Sequence, residues 1–491
     1  MVVNWEDAMT NLLESVRAFV WGAPTLVLIL GVGLFLSIRL SFAQLVLLPR
    51  AFREFFRKLK PMSGTDGTSA FRALCTALAA TVGTGNLVGV AGAICLGGPG
   101  AIFWMWISGL LGMATKFAEV TLALRYREQD RGGPMYVITR GLGPRFKPLA
   151  AVYCLFGVIA AFGVGNAAQI NALITGVNGV IGQFGGKETG LGNLIMGLIL
   201  AFLVGMVLLG GAGRIGAAAE KLVPFVSVLY ILMCLGALIA FRHRIPEAFA
   251  DILKGAFSPR AVTGGSLGSA FTALQIGCSR GVFTNEAGMG TAAIAHAQAN
   301  VSHPAEQGLM GIMEVFLDTI LICTLTALVI LTSGVPIPYG VDAGGALTTR
   351  AFSAVYGGAA AVALGAIMSC FAFATVLGWG LYGARCAVFL FGSKSWKVFA
   401  FAQTAAVTVG AVLDTAAVWA LSETVNGLMA IPNLITLAML SDELYRLTIE
   451  YRKSGRKAGG GTYANFHQCK PLRTLSYEKV SPLGGGSGEE G

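Results

Sequence analysis

Between Ala23 and Leu444 the chain is a succession of long apolar runs, separated by short polar stretches that hold most of the prolines and charges. Many runs reach the roughly 20 residues a helix needs to cross a hydrocarbon core. They predict eleven helical spans, at about 23–40, 70–97, 99–124, 148–182, 192–212, 216–241, 268–297, 305–333, 350–380, 397–420 and 422–444. Pro99, Pro134, Pro144, Pro246, Pro304 and Pro336 lie at or between these runs, where a missing backbone donor does little harm. The expected fold class is an all-α polytopic membrane protein.

Two spans carry interruptions. The second contains TVGTGNLVGV at residues 81–90, with two glycines, two threonines and an asparagine among its first six positions. A helix from Ala70 to Val82 rises about 20 Å, which puts Gly83, Thr84, Gly85 and Asn86 near the bilayer midplane. Irregular backbone is tolerated there only against protein or a wet cavity. The seventh span is interrupted by GCSRGVFTNEAGMGTA at residues 277–292. The two lie five helices apart, and an odd offset inverts the second set of five. Inverted five-helix repeats that each open with a discontinuous helix are a transporter pattern. An unwound turn offers amides and a positive dipole end to a carboxylate, and carbonyls to a hard cation such as sodium. Gly89, Gly92, Gly97 and Gly109 read instead as packing glycines of small-xxx-small type.

Composition agrees with the patterning. Of 491 residues 12% are charged and 55% hydrophobic, against about 25% charged in soluble domains. The cysteines form no CxxC pair, which argues against structural zinc, and no cofactor is expected. The acidic start MVVNWEDAMT does not resemble a cleavable signal peptide. With the N-terminus outside, inner loops and tail hold about 24 Lys and Arg against about 7 outside, as the positive-inside rule requires. The net charge of +10 is therefore a matter of topology, not of nucleic-acid binding. The expected organisation is an external segment 1–22, a leading helix and basic cytoplasmic loop 23–69, repeats 70–241 and 268–445, an external loop 242–267, and a flexible cytoplasmic tail 446–491. Within the external loop, PEAFADILKGAF has the spacing of an amphipathic helix. GAGRIG at 211–216 follows a run too long for a strand and lacks the later acid of a dinucleotide site. No GxxxxGK[ST] occurs.

The stretch LAATVGTGNLVGVAGAICLGGPGAIFWMWISGLLGMATKFAEVTLALRYR at 78–127 resembles the signature region of the alanine or glycine:cation symporters. So do RGVFTNEAGMGTAAIAHA at 280–297, IMEVFLDTILICTLTAL at 312–328 and ATVLGWGLYGARC at 374–386. The likeness runs in order from about residue 65 to 445. It implies a LeuT-type fold of one extra N-terminal helix and two inverted repeats in a bacterial-type plasma membrane. It also implies sodium- or proton-coupled uptake of alanine, glycine or another small neutral amino acid. By position the resemblance places substrate at Thr84, Gly85 and Asn86, with Gly277, Cys278, Ser279 and Gly281 completing the pocket. Gln169 matches the family's site glutamine and Asn166 lies one turn away. Trp379 would cap the side-chain pocket, and Thr375 would ligate sodium with carbonyls near Thr81 and Val82.

Ionisable residues in apolar spans are costly and point to function. Lys116 and Glu119, three apart near an inner helix end, read as a local pair with a snorkelling lysine. Arg280 is expected to pair with Glu286 or Asp318, forming a gate or a coupling element. His296 and His303 read as loop residues. A channel would want a symmetric filter and has no use for a second, different interruption. A non-transporting sensor would bind without accumulation. No Ser/His or His/Glu constellation suggests an intramembrane enzyme.

Overall fold

A computed structural model describes residues 15–16, 19–59, 68–265, 269–412 and 416–457. Residues 1–14, most of the expected external segment 1–22, and the tail beyond 457 lie outside the described residues. The described chain is helical apart from turns and two isolated bridges, Thr68–Ala299 and Glu128–Arg131.

The helices run in order. α1 is Ala23–Arg39 and α2 is Leu48–Lys58. α3 (Ala70–Thr81) and α4 (Gly85–Gly97) form one broken rod, bent by 54°. α5 (Gly100–Arg125), α6 (Pro144–Gly182), α7 (Gly190–Leu208) and α8 (Gly211–Ala240) follow. After the short α9 (Ile245–Phe257) come α10 (Ala270–Asn285) and α11 (Thr291–His296). α12 (Pro304–Thr332), α13 (Gly344–Tyr356) and α14 (Ala359–Phe391) lead to α15 (Ser395–Val412), α16 (Ala416–Met439) and α17 (Ser441–Lys457). Six of these helices are long and apolar enough to cross a membrane alone, and the bent pairs α3–α4 and α16–α17 raise the number to eight. Large apolar side chains such as Leu198, Phe202, Phe225 and Ile239 face outward on α7 and α8. With no water to avoid, lipid-facing surfaces can be as apolar as the core.

Three boundaries differ from the hydropathy reading. The expected span 350–380 divides at Gly357, whose φ of +60° ends α13. α14 then continues through residues 381–391, which read as the start of a loop because Arg385 interrupts an otherwise apolar turn. α17 begins inside the expected eleventh span and extends through the first residues of the expected tail. Asp442 and Glu443 in its first turn suit the positive end of its dipole. Within 242–267, α9 lies against the aromatic start of α5, where Trp104 Nε1 donates to the Ala256 carbonyl at 3.2 Å.

Candidate functional site

The first break is short. Val82 leaves the helix with extended backbone, and the Gly83 amide donates to the Asn86 side-chain oxygen at 2.8 Å. The polar residue that unwinds the turn therefore also satisfies its freed donor. The second break falls at 286–290, not at 277–281 as the glycines suggest. Glu286 is left-handed (φ 53°), and Gly288 and Gly290 have φ of +96° and +76°, conformations that glycine adopts freely. Gly277 and Gly281 are helical and pack on α5. A Cβ on either would stand 2.2 Å from Ala101 O or Ser108 Oγ. Their spacing of four puts both on one face, so they permit close packing instead of unwinding.

Between the breaks lies a cavity of about 20 Å³, room for about one water. Ala80, Thr81, Gly83, Thr84 and Gly85 line it from the first break, with Phe283, Thr284 and Glu286 from the second. Val164 and Gln169 of α6, Thr375 and Trp379 of α14, and Asn426 of α16 close it. The Thr84 hydroxyl donates to Gln169 Oε1 at 3.2 Å, and Gln169 Nε2 donates to Val164 O at 3.2 Å. Trp379 is buried and its indole donates to Glu286 Oε1 at 3.1 Å, while the Thr291 hydroxyl donates to Oε2 at 2.5 Å. Thr81 and Thr375 donate their hydroxyl protons to the carbonyls of Ala77 and Phe371, at 3.3 and 3.0 Å. Their remaining lone pairs are the kind of oxygen a hard cation takes.

Gly165 sets the position of the tryptophan. A Cβ there would lie 2.3 Å from Trp379 Cβ. G165A is expected to destabilise the protein by about 1–3 kcal/mol through overpacking, read as a lower unfolding temperature. An unchanged temperature would mean that the two helices separate freely.

Asn86 also faces away from the cavity. It is fully buried, and its Nδ2 donates to Asp318 Oδ1 at 2.6 Å. The Thr319 hydroxyl donates to Asp318 Oδ2 at 2.7 Å, and Asn285 Nδ2 donates to Thr319 Oγ1 at 3.0 Å. One polar chain thus links both breaks to α12.

Other expected residues lie elsewhere. Asn166 donates to Gln403 O at 2.8 Å and does not line the cavity. Val82 is buried beside the break. Cys278 Sγ approaches Trp104 O at 3.6 Å and Ser279 is half-buried outside the cavity. Arg280 does not pair with Glu286 or Asp318. Its partner is Asp342 at 3.7 Å, because its helix face points toward the residues before α13.

Lys116 does not snorkel. It is fully buried, with Nζ 3.4 Å from Glu314 Oε1, because glycine at 311 lets α12 approach its stem. Glu119 instead accepts the amides of Gly288 and Gly290 at 2.8 and 3.0 Å and Asn433 Nδ2 at 2.8 Å. The second break's amides are thus already bound by protein. His296 is no loop residue. It is buried, bonded to Glu314 at 2.9 Å and to Gln307 at 2.8 Å.

Phe283, Thr284 and Asn426 were not singled out by the sequence. The polar stretch SETVNG at 422–427 in α16 was the available signal for the last.

The model of the sodium:alanine symporter family matches residues 6–465. The sodium/alanine symporter AgcS of Methanococcus maripaludis is 42% identical over 88% of this chain and 94% of its own. The amino-acid carrier protein AlsT of Bacillus subtilis is 37% identical, covering 92% and 94%. The probable sodium/glutamine symporter GlnT of the same organism is 36% identical, covering 92% and 93%. Among solved structures, MhsT in complex with L-phenylalanine superposes with a TM-score of 0.54 at 15% identity, covering 79% of this chain and 99% of that one. A manganese transporter mutant of Eremococcus coleocola gives 0.51 at 13%, covering 80% and 88%. These structural likenesses show the fold alone.

Proposed function

We propose a function from one premise: this chain belongs to the sodium:alanine symporter family. It is an integral membrane transporter of the secondary symporter kind, not an enzyme. We infer that it couples inward movement of sodium to uptake of a small neutral amino acid such as alanine or glycine. Two five-helix repeats, inverted with respect to each other and preceded by α1, would alternate access to the cavity. The N-terminus would lie outside and the C-terminus in the cytoplasm.

The observation that supports this reading is a small polar cavity bounded by both broken helices. Thr84, Gly85 and Gln169 present polar groups to a zwitterion, Trp379 covers one end, and Thr81, Thr375 and the backbone near Val82 supply oxygens for the cation. Glu286 contributes a carboxylate to the wall, where it suits the substrate ammonium. At about 20 Å³ the cavity is smaller than any amino acid, so binding must widen it. That makes substrate binding and rearrangement one event.

The test is uptake of labelled alanine and glycine into proteoliposomes under a sodium gradient or a proton gradient. Sodium alone is expected to drive accumulation. Q169A, which removes a polar group from a closed site, is expected to raise KM at least about tenfold. Accumulation driven by protons without sodium would overturn the ion assignment, and a wild-type KM in Q169A would overturn the site.

A further inference from the structure

Outside the transport site, a groove of about 570 Å³ lies between α2 and α17. Arg50 and Arg53 line it from α2, Arg452 and Lys453 from α17, and Val46, Leu47 and Ile449 supply apolar wall. Among the described residues none of the four cations forms an ion pair. Their neighbours behave differently. Lys58 pairs with Glu306 at 2.6 Å, Arg125 with Glu443 at 3.0 Å, and Arg39 with Asp442. These acids are taken by other cations, Glu306 by Lys58 and Arg57 and Glu443 by Arg125 and Arg446, whereas the groove's four make no such pair among the described residues.

Two of the three arginines, Arg50 and Arg452, are also held in place. Arg50 stacks over the Tyr451 ring at 5.3 Å, and Arg452 Nη2 donates to Leu40 O at 3.0 Å. Arg50 Nη1 and Arg452 Nε are buried with no hydrogen-bond partner. Concentrating like charges in a preformed concavity costs stability unless an anion neutralises them.

We propose that this groove binds the phosphate diester of an anionic phospholipid. The surroundings favour a lipid over a free anion. The groove opens beside the end of α1, where Phe42, Leu45 and Val46 are 45%, 48% and 62% exposed. An apolar shelf beside a cationic concavity matches acyl chains and headgroup respectively. A bound headgroup would tie α2 to α17. α2 is itself fixed to α12 through Phe52 against Phe316, centroids 5.0 Å apart, so the lipid would brace the helix that carries Glu314 and Asp318.

Native mass spectrometry of the delipidated full chain, titrated with phosphatidylglycerol or phosphatidylcholine, tests the proposal. The wild type is expected to retain phosphatidylglycerol preferentially. R53Q/K453Q is expected to weaken that binding about 30-fold, since each cation near a lipid surface contributes about a factor of five. Both side chains are exposed and form no ion pair among the described residues, so the unfolding temperature of the lipid-free protein should not move. R53K, which keeps the charge, should bind as the wild type does. Equal retention of the two lipids, or undiminished phosphatidylglycerol binding by R53Q/K453Q, would overturn the proposal. Glycerol phosphate binding as tightly as phosphatidylglycerol would also overturn it, by showing that the site takes a free phosphate ester.

Discussion

Replacing Asn86 with alanine is expected to lower sodium-driven uptake by more than about a hundredfold. This side chain has two tasks in one buried place. Its oxygen accepts the Gly83 amide at 2.8 Å and its amide donates to Asp318 at 2.6 Å. Truncation strands a backbone donor in the first break and removes a charge-assisted bond from a carboxylate with no solvent exposure. An orphaned buried group costs about 1–3 kcal/mol, and a lost bond to a charged group about 1.5–3. The sum, about 2.5–6 kcal/mol, passes the roughly 2.7 kcal/mol that a hundredfold loss requires over nearly all of its range. Initial rates of alanine uptake in proteoliposomes measure the effect, with the amount of folded protein checked by size exclusion. D318N should share most of the loss, and the double variant N86A/D318N should fall well short of the product of the two, because residues in direct contact are not additive. Wild-type rates in N86A would show that the first break holds its shape without this bond.

The break around Asn86 was legible because polar and glycine residues crowd one place at a computable depth in an apolar run. The second was harder to place. Its segment mixes glycines of two kinds, and only their surroundings distinguish them. Gly277 and Gly281 allow α10 to lie on α5, whereas Gly288 and Gly290 turn the chain. Spacing of four was the clue to packing, and the dense NEAGMG cluster was the clue to the turn. Thr375 and Trp379, four apart, do present one face to the cavity. Asn426 escaped notice because its own helix shows no interruption around it. Charge partners were the least legible feature. Sequence favours the neighbour three residues away, yet Lys116 meets Glu314 and Arg280 meets Asp342. In an apolar interior the strongest available partner is chosen by the packing of helices, which the linear order does not reveal.

Lys116 supplies the second large effect. K116M is expected to destabilise the protein by about 3–5 kcal/mol, the usual result of removing one partner of a buried pair. Glu314 has no solvent exposure, and after the change its carboxylate keeps His296 at 2.9 Å as a polar neighbour. The damage should be repairable by removing the charge left behind. E314Q added to K116M should restore more than half of the lost stability, read as the unfolding temperature of the purified protein. Salt should alter neither value, since screening does not reach a fully buried pair. A failure of E314Q to rescue would show that the lysine acts through its packed stem and not through its charge. The rescue also bears on transport. Glu314 and Asp318 stand one turn apart on α12, one held by α5 and the other by Asn86 of the first break. A helix that loses the first tether places its strain on the second. K116M should therefore slow uptake although Lys116 does not line the cavity, and the charge-neutral double variant should recover rate together with stability.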